Sequence, residues 1–534
     1  MSTDHDNPSI PLVVQLGFAG SRNLFDSAVD PESANPGHLE EQVCQSLIAI
    51  ISGLGSELKL SSQHFFCGIS QIAIGSDTAF TRACQHLKIP QRIFLPQHLD
   101  EYLNATGRQS PDFSPPQKQA ARDLVASPHI IQQRVVSDSA ERYLRFSDTN
   151  SEIVRVSDVL LCLVGEDQSA QSGGTLELIE IAKKRGKPIL LVTVHLHNGT
   201  PVLTPQWLNL HLFQLPVLPR QLHGMPSIQP DSDQPNPLGI HNLPTAQGFA
   251  EHLKMHSSRM AKAHKGLFKT AALIIISTHI LATVCAVIAV QFREMHGLFW
   301  FLVPELVLLA LGFTIHRRLH RREASQLWAM SRLIAELGRS QVAVGQQYLY
   351  LEYLFQLPFP ASLRPLLRTL SVLHLASTAG ASVTEWEVNR DRYIQQRLAG
   401  NNGQIEFYAR ESARSFKLLR KAHAALNVFS LGAFAAAFCK LTHIFGHHFS
   451  SILGPLAILL PVLAVAVLSL AAAFDLEARK HTFNDMLVFL RSQHKLLNEA
   501  STAREFGRLV LETESRLLGE TVNWYSRRSF TGIT

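Results

Sequence analysis

Cysteine is scarce and scattered. The 534 residues hold six, Cys44, Cys67, Cys84, Cys162, Cys285 and Cys439, with no CxxC spacing among them. That excludes a disulfide framework and a cysteine zinc site, and it suits a reducing compartment. The opening residues MSTDHDNPSIP lack a basic segment followed by an apolar run, so no cleavable signal peptide is expected. The net charge is modest at +6, and the basic residues crowd the borders of apolar segments, so no nucleic-acid polymer is expected as a partner.

The most telling absence is of charge itself. Lys269 and Arg293 bracket 23 residues without Asp, Glu, Lys or Arg. Residues 297–315 carry only Glu305, residues 422–439 carry no charge over 18 positions, and residues 450–474 none over 25. A bilayer core about 30 Å thick needs about 20 helical residues. All four segments therefore qualify as spans, the second and third near the short limit. They fall into two pairs, each joined by a short loop, which core helices of a soluble protein do not explain.

What is present in the first third is different. Residues 12–18, 64–69, 89–95, 159–164 and 189–194 are short apolar runs that suit buried strands. Residues 39–54 and 176–184 have helical spacing. This alternation predicts an α/β, doubly wound parallel sheet over 11–195. Three glycine turns follow apolar runs: Gly17-Phe18-Ala19-Gly20-Ser21-Arg22, Ala73-Ile74-Gly75-Ser76-Asp77 and Gly173-Gly174-Thr175-Leu176-Glu177. Ligands of such sheets bind beyond the carboxyl ends of the strands, so all three turns are expected on one rim. Glycines at the mouth of a helix let backbone N–H groups approach a phosphate, and Arg22 can pair with one in bidentate fashion. Ser76 or Asp77 would also cap the helix that follows, the plainer role. His195 and His197 share one face of a strand end but lack a third ligand, so no metal is assigned.

These blocks, together with Ser157-Asp158-Val159-Leu160-Leu161, resemble the SLOG superfamily, which includes the cytokinin-activating LOG enzymes and the DNA-processing protein DprA. The resemblance covers 11–195 and implies a Rossmann-like domain whose rim binds a nucleotide-derived ligand. Gly17, Gly20, Ser21, Arg22, Gly75, Ser76, Asp77, Gly173, Gly174, Thr175 and Glu177 would line it. LOG enzymes carry PGGxGTxEE, whereas this chain has SGGTLELIE with Leu178 in place of the second glutamate. Binding without a catalytic residue or cofactor is therefore the expectation; cleavage of a nucleotide or NAD-like molecule, with Glu177 polarising the ribose, is the alternative, and a structural anchor for a protein partner a third reading.

Residues 196–254, with nine prolines between 200 and 245, read as a loop-rich linker. Beyond it, Arg259, Lys262, Lys265 and Lys269 precede the first apolar segment, and Arg317, Arg318, Arg321 and Arg322 follow the second. Arg410, Arg414, Lys417, Arg420 and Lys421 precede the third, and Arg479 and Lys480 follow the fourth. By the positive-inside rule both hairpins enter from the cytoplasm and return to it, leaving the sheet domain and both termini cytoplasmic. The halves 255–400 (spans 269–292 and 298–315) and 405–534 (spans 422–442 and 451–474) read as an internal repeat, each ending near a tryptophan, Trp386 and Trp524. They resemble SLATT domains, two-span modules found with SLOG domains in bacterial conflict systems. That resemblance implies a homo-oligomeric, pore-forming effector of anti-phage defence in the bacterial inner membrane, switched by a nucleotide signal. Glu305 is either a pore-lining carboxylate or a headgroup-level one.

Overall fold

The computed structural model describes residues 10–22, 36–105, 113–165, 173–197, 200–223, 244–291, 298–321, 323–345, 354, 356–379, 386–401, 403–442 and 446–530. The chain forms two compact units. One comprises residues 1–250 and 359–382, the other 251–358 and 383–534.

The first unit is built on a seven-stranded sheet: β1 (Leu12–Gly20), β2 (His64–Ser70), β3 (Gln91–Leu95), β4 (Ile130–Val135), β5 (Val159–Gly165), β6 (Ile189–His197) and β7 (Thr200–Leu208). Their order is β4-β3-β2-β1-β5-β6-β7. All pairs are parallel except β6–β7. Along β5 alternate side chains serve opposite faces. Leu161 and Leu163 join α1 (Pro36–Glu57) and α2 (Ser76–His86) in one core, while Leu160 and Cys162 join α5 (Arg142–Val156) and α6 (Thr175–Lys184) in another. Two covered faces explain why the central strands read as continuous apolar runs. Two short helices, α3 (Leu99–Asn104) and α4 (Pro115–Val125), close the β3–β4 side.

The division differs from the expected one in two places. Residues 200–208, expected as linker, form β7, with Pro201 and Pro205 facing Leu196 and Val192 of β6. Proline lacks the N–H that a central strand needs but is tolerated on an edge strand, which β7 is. Residues 359–382, expected within the first membrane module, belong to the sheet unit. Here α10 (Arg364–Thr378) lays Val372, Leu375 and Ala376 on Val13, Cys67 and Ile131. The reason lies in the register. β5 pairs with β1 only from Leu16 onward, so two amides of β1 lack a strand partner on that side. Val13 N donates to Thr369 Oγ1 (3.0 Å) and Gln15 N to Asp158 Oδ2 (2.9 Å). Asp158 in turn accepts a hydrogen bond from Arg368. Buried main-chain donors must be paired, and α10 completes the pairing.

The second unit is helical: α7 (Ala246–Gln291), whose first turn belongs to the sheet unit, then α8 (Leu302–Arg321), α9 (Ala324–Gly345), α11 (Trp386–Tyr393), α12 (Gln404–Thr442), α13 (Gly446–Ala473), α14 (Leu476–Glu499) and α15 (Ala503–Phe530). Among the described residues, three helical stretches are long and apolar enough to cross a membrane: one is α7, one contains α12, and one covers α13 from Ile452 onward. Their large apolar side chains point outward: Val290 is 74 % exposed, Phe434 71 % and Leu441 78 %. Patches of that kind mark a surface made for lipid or another apolar partner. The fourth expected span falls short as a regular helix. α8 starts only at Leu302, after a 3-10 turn over Leu298–Phe301, and reaches Arg317 after fifteen residues. α8 and α13 share one device: a residue held in the left-handed region follows each, Glu323 (φ 47°) after α8 and Asp475 (φ 51°) after α13, and the next helix starts beyond it. Of the loops expected outside the membrane, residues 293–297 lie outside the described residues, and residues 440–449 do so over 443–445.

Away from the apolar stretches this unit buries charge. Arg397 sits in a π-helical turn (Ile394–Ala399) and bonds Glu514 through Nε and Nη2 and Glu336 through Nη2, each at 2.8 Å. Tyr393 Oη adds a fourth bond, to Glu514 (2.8 Å), and Arg339 a fifth, to Glu336 (2.6 Å).

Candidate functional site

Strand order reverses direction between β1 and β5, and that is where a doubly wound sheet leaves a crevice beyond its strand ends. The ends of β1, β2 and β5 lie side by side there, so the sheet brings the three glycine turns to one rim. Ser21 N donates to Leu163 O (3.0 Å), tying the turn after β1 to β5. Ser76 Oγ donates to Ser21 O (2.6 Å), tying it to the start of α2. Gly75 has φ +83°, and a Cβ there would stand 2.4 Å from Arg22 O. Only glycine meets both demands, so Gly75 is required by the packing of one turn on another. Gly173 is the second such position, with φ +80° and a would-be Cβ 2.7 Å from Phe146.

The remaining expected residues divide into those at the rim and those away from it. Gly17 lies inside β1, in register with Leu160, and not in the turn. Gly20 ends β1, and Arg22 is half-buried with its guanidinium over the Phe146 ring, 5.1 Å from the centroid. Gly174 precedes α6 in extended conformation, and Thr175 is buried as the first residue of that helix. Neither Gly75 nor Gly174 caps its helix with a side chain, so both helix N-termini present main-chain amides. Glu177 turns back onto its own turn: one carboxylate oxygen accepts from Gly173 N, the other from Ser147 Oγ (2.6 Å). That is the orienting role, and it places a negative group against an amide that a phosphate would also seek. Residues 166–172, the approach to Gly173, lie outside the described residues.

Asp77 is 5 % exposed and points into the fold, where Ala73 N donates to Oδ2 (3.1 Å). Burial pushes its carboxyl up to about 7, against the opposing pull of the Ala73 and Gly20 amides and the Arg22 guanidinium.

Sequence reading missed the side chains that organise this rim from α5. Asn150, 2 % exposed, donates to the carbonyls of Gly173 (3.0 Å) and Gly174 (3.2 Å) and accepts from Gln71 Nε2 (3.2 Å). It thus clamps the turn after β5 to the strand end of β2. A lone asparagine in an amphipathic helix carries no local signal, since its role depends on two turns distant in sequence.

Glu305 is half-buried in the first turn of α8. A carboxylate is favoured at that end of a helix, next to the unpaired amides. His195 and His197 pair with Val202 and Thr200 across the β6–β7 hairpin, and no metal-holding cluster forms among the described residues.

The rim can therefore present amides from two helix N-termini and one arginine to an anionic ligand, on a frame locked by Ser76, Asn150 and Glu177. No protein family, characterised protein or solved structure matches the chain.

Proposed function

We propose that this protein is a membrane effector of the SLOG–SLATT kind. Its cytoplasmic sheet unit binds a nucleotide-derived messenger at the rim, and the membrane helices then assemble or open as a pore, in bacterial anti-phage defence. The observation that carries the reading is the path of the chain. It leaves the sheet unit after residue 250, returns for 359–382 and leaves again, so α10 is flanked on both sides by the helical unit. α10 holds the amino end of β1 through Thr369, and the carboxyl end of β1 carries Gly20, Ser21 and Arg22. A ligand that shifts those residues pulls on a strand whose other end is fastened to the inserted helix.

Four spans form the membrane part in this reading. The 3-10 turn 298–301 rises about 2.0 Å per residue and the helix 302–316 about 1.5 Å, which together give about 30 Å, the thickness of a bilayer core. The outward side chains there are apolar, with Leu306 70 % exposed. The basic borders support a topology with both termini and the rim in the cytoplasm. Reporter fusions at Gly400 should read cytoplasmic; an external signal demands an odd number of spans before that point.

The test uses the full-length protein in detergent, titrated with nucleotides, cyclic oligonucleotides and ADP-ribose derivatives, and in liposomes loaded with a dye. One class should bind and release the dye. Arg22→Ala should weaken binding by about 1.5–3 kcal/mol, the worth of a charge-assisted hydrogen bond. If no member of the panel binds, the rim is structural and the sensor reading is wrong.

A further inference from the structure

A second candidate site lies where the helices of the second unit leave the apolar zone. Lys269 is the last charged residue before the uncharged run on α7, and Phe474, just past α13, closes the uncharged run that α13 carries. The two meet, with Lys269 Nζ 5.3 Å from the Phe474 ring centroid. Around them four more cations come from other positions: Lys265 on α7, Arg332 on α9, Arg479 on α14 and Arg528 on α15, all within electrostatic reach of one another or of Lys269. Their floor is aromatic. Arg528 lies over Phe268 and Trp328 (5.1 and 5.2 Å) and Arg332 over Trp524 (4.4 Å), while Trp328 and Trp524 meet edge to face.

The carboxylates at hand are already engaged. Asp475 pairs with Arg528 (3.1 Å), Glu520 with Arg332 (3.6 Å) and Glu411 with Arg414 (3.9 Å). Lys265, Lys269 and Arg479 have no ion pair among the described residues, and Arg479 Nε, a buried donor, finds no acceptor there. Packing cations together without counter-charge is unfavourable unless an anion completes the site. Asp475 also borders a cavity of about 460 Å³ between α12, α13 and α14, lined by Leu419, Leu426, Val467, Leu468 and His481. Apolar walls with a polar mouth at the membrane border fit an acyl chain below a headgroup.

We propose that Lys265, Lys269 and Arg479 bind the phosphate of an acidic phospholipid headgroup, with the acyl chain entering the neighbouring cavity. The shared chemistry is a phosphate ester; the lipid is favoured over a soluble phosphate by the level of the cluster, at the start and end of the apolar runs. The site rests on the membrane reading of these helices and is independent of ligand binding at the rim.

The experiment is native mass spectrometry of the full-length protein in detergent, with phosphatidylglycerol or phosphatidylcholine added, alongside melting curves. The wild type should retain phosphatidylglycerol in preference to phosphatidylcholine and melt higher with it. Each cation near a membrane surface is worth about fivefold in binding an acidic lipid, so Lys265→Gln with Arg479→Gln should lower phosphatidylglycerol retention about 25-fold. The control pair Lys417→Gln and Arg420→Gln removes two exposed cations from the same border and should change it less than threefold. The melting curve in phosphatidylcholine reports whether each variant is folded. Three results overturn the proposal: equal retention of the two lipids, equal loss in the control pair, or displacement of the lipid by millimolar inorganic phosphate. The last would assign the cluster to a soluble anion.

Discussion

Two buried carboxylates, one in each unit, are driven in opposite directions. Asp77 under the rim has amides for company and one arginine at a distance, and burial pushes it up to about 7. Glu336 in the helical unit is opposed by burial too, but Arg397 and Arg339 outweigh that and hold it down at about 2. Two guanidinium groups in contact do what main-chain amides cannot: they replace the whole of the lost hydration. The sheet unit orders its rim mainly with neutral groups, Ser76, Gln71 and Asn150, while the helical unit sets its helices with full charges. Neutral clamps permit a rim to shift between two arrangements. A charged network admits few, because each displaced ion is left buried and unpaired.

The largest effect should come from cutting the first unit at its apparent end. A piece spanning 1–195 lacks β7 and α10, so it exposes the edge of β6 and uncovers Val13, Cys67 and Ile131. It should be insoluble on expression. A chain of 1–250 joined to 359–382 by a flexible linker should be soluble and melt cooperatively. Solubility of the shorter piece would show that α10 is dispensable, and the coupling route through Thr369 would lose its support.

Next in size is the charged network. Arg397→Ala leaves Glu336 and Glu514 facing each other without their shared cation, at a cost of about 3–5 kcal/mol. Denaturant unfolding in detergent measures it. An Arg397→Ala change as mild as a surface substitution would mean that the network does not hold the helical unit.

The two carboxylates then give opposite pH trends. The folded pKa of Glu336 is depressed, so its contribution is complete above about 4.5, the ordinary value, and is lost as pH falls toward 2. The folded pKa of Asp77 is raised, so stability there is complete below about 3.8 and is lost as pH rises through about 7. Each change amounts to a few kcal/mol. Hydrogen exchange separates the units. Amides near Ala73 should lose protection between about pH 4 and 7 beyond the intrinsic rise in exchange, and Asp77→Asn should remove that excess. Amides of α9 should instead open below pH 4.5. The same trend in both places would sink the comparison.

Sequence patterning was informative where the physics is local. The apolar runs of β1 and β5, the helix starts after Gly75 and Gly174, and the outward apolar faces of α7, α12 and α13 all repeat over a few residues. What escaped depends on distant parts of the chain. β7 carries Pro201 and Pro205, which speak against a strand until its edge position is known. α10 is an ordinary amphipathic helix, and nothing in its pattern says that its apolar face belongs to β1 some 350 residues earlier. Asn150 and Arg397 are polar residues whose partners are assembled only by the fold. Gly75 and Gly173 are demanded by their packing on Arg22 and Phe146, contacts between turns far apart in sequence that no local pattern announces.

The smallest effect tests the joint itself. Thr369 Oγ1 accepts from Val13 N at a point where β5 has not yet begun. Thr369 is fully buried. Thr369→Val keeps the shape of the side chain but removes the hydroxyl, which accepts from Val13 N and donates to Pro365 O (3.0 Å), and it leaves a buried N–H unpaired, so it should cost about 1–3 kcal/mol. The linked piece 1–250 with 359–382 should show that loss in denaturant melts. Thr369→Ser keeps the acceptor and should recover most of it, less the packing of one methyl group, about 1 kcal/mol. In the full-length protein, Thr369→Val should loosen the hold of α10 on β1 without touching the rim. Messenger binding should then persist while dye release weakens. Equal loss of binding and release would place Thr369 in the frame of the rim, and no loss of either would leave α10 as a cover for the sheet and nothing more.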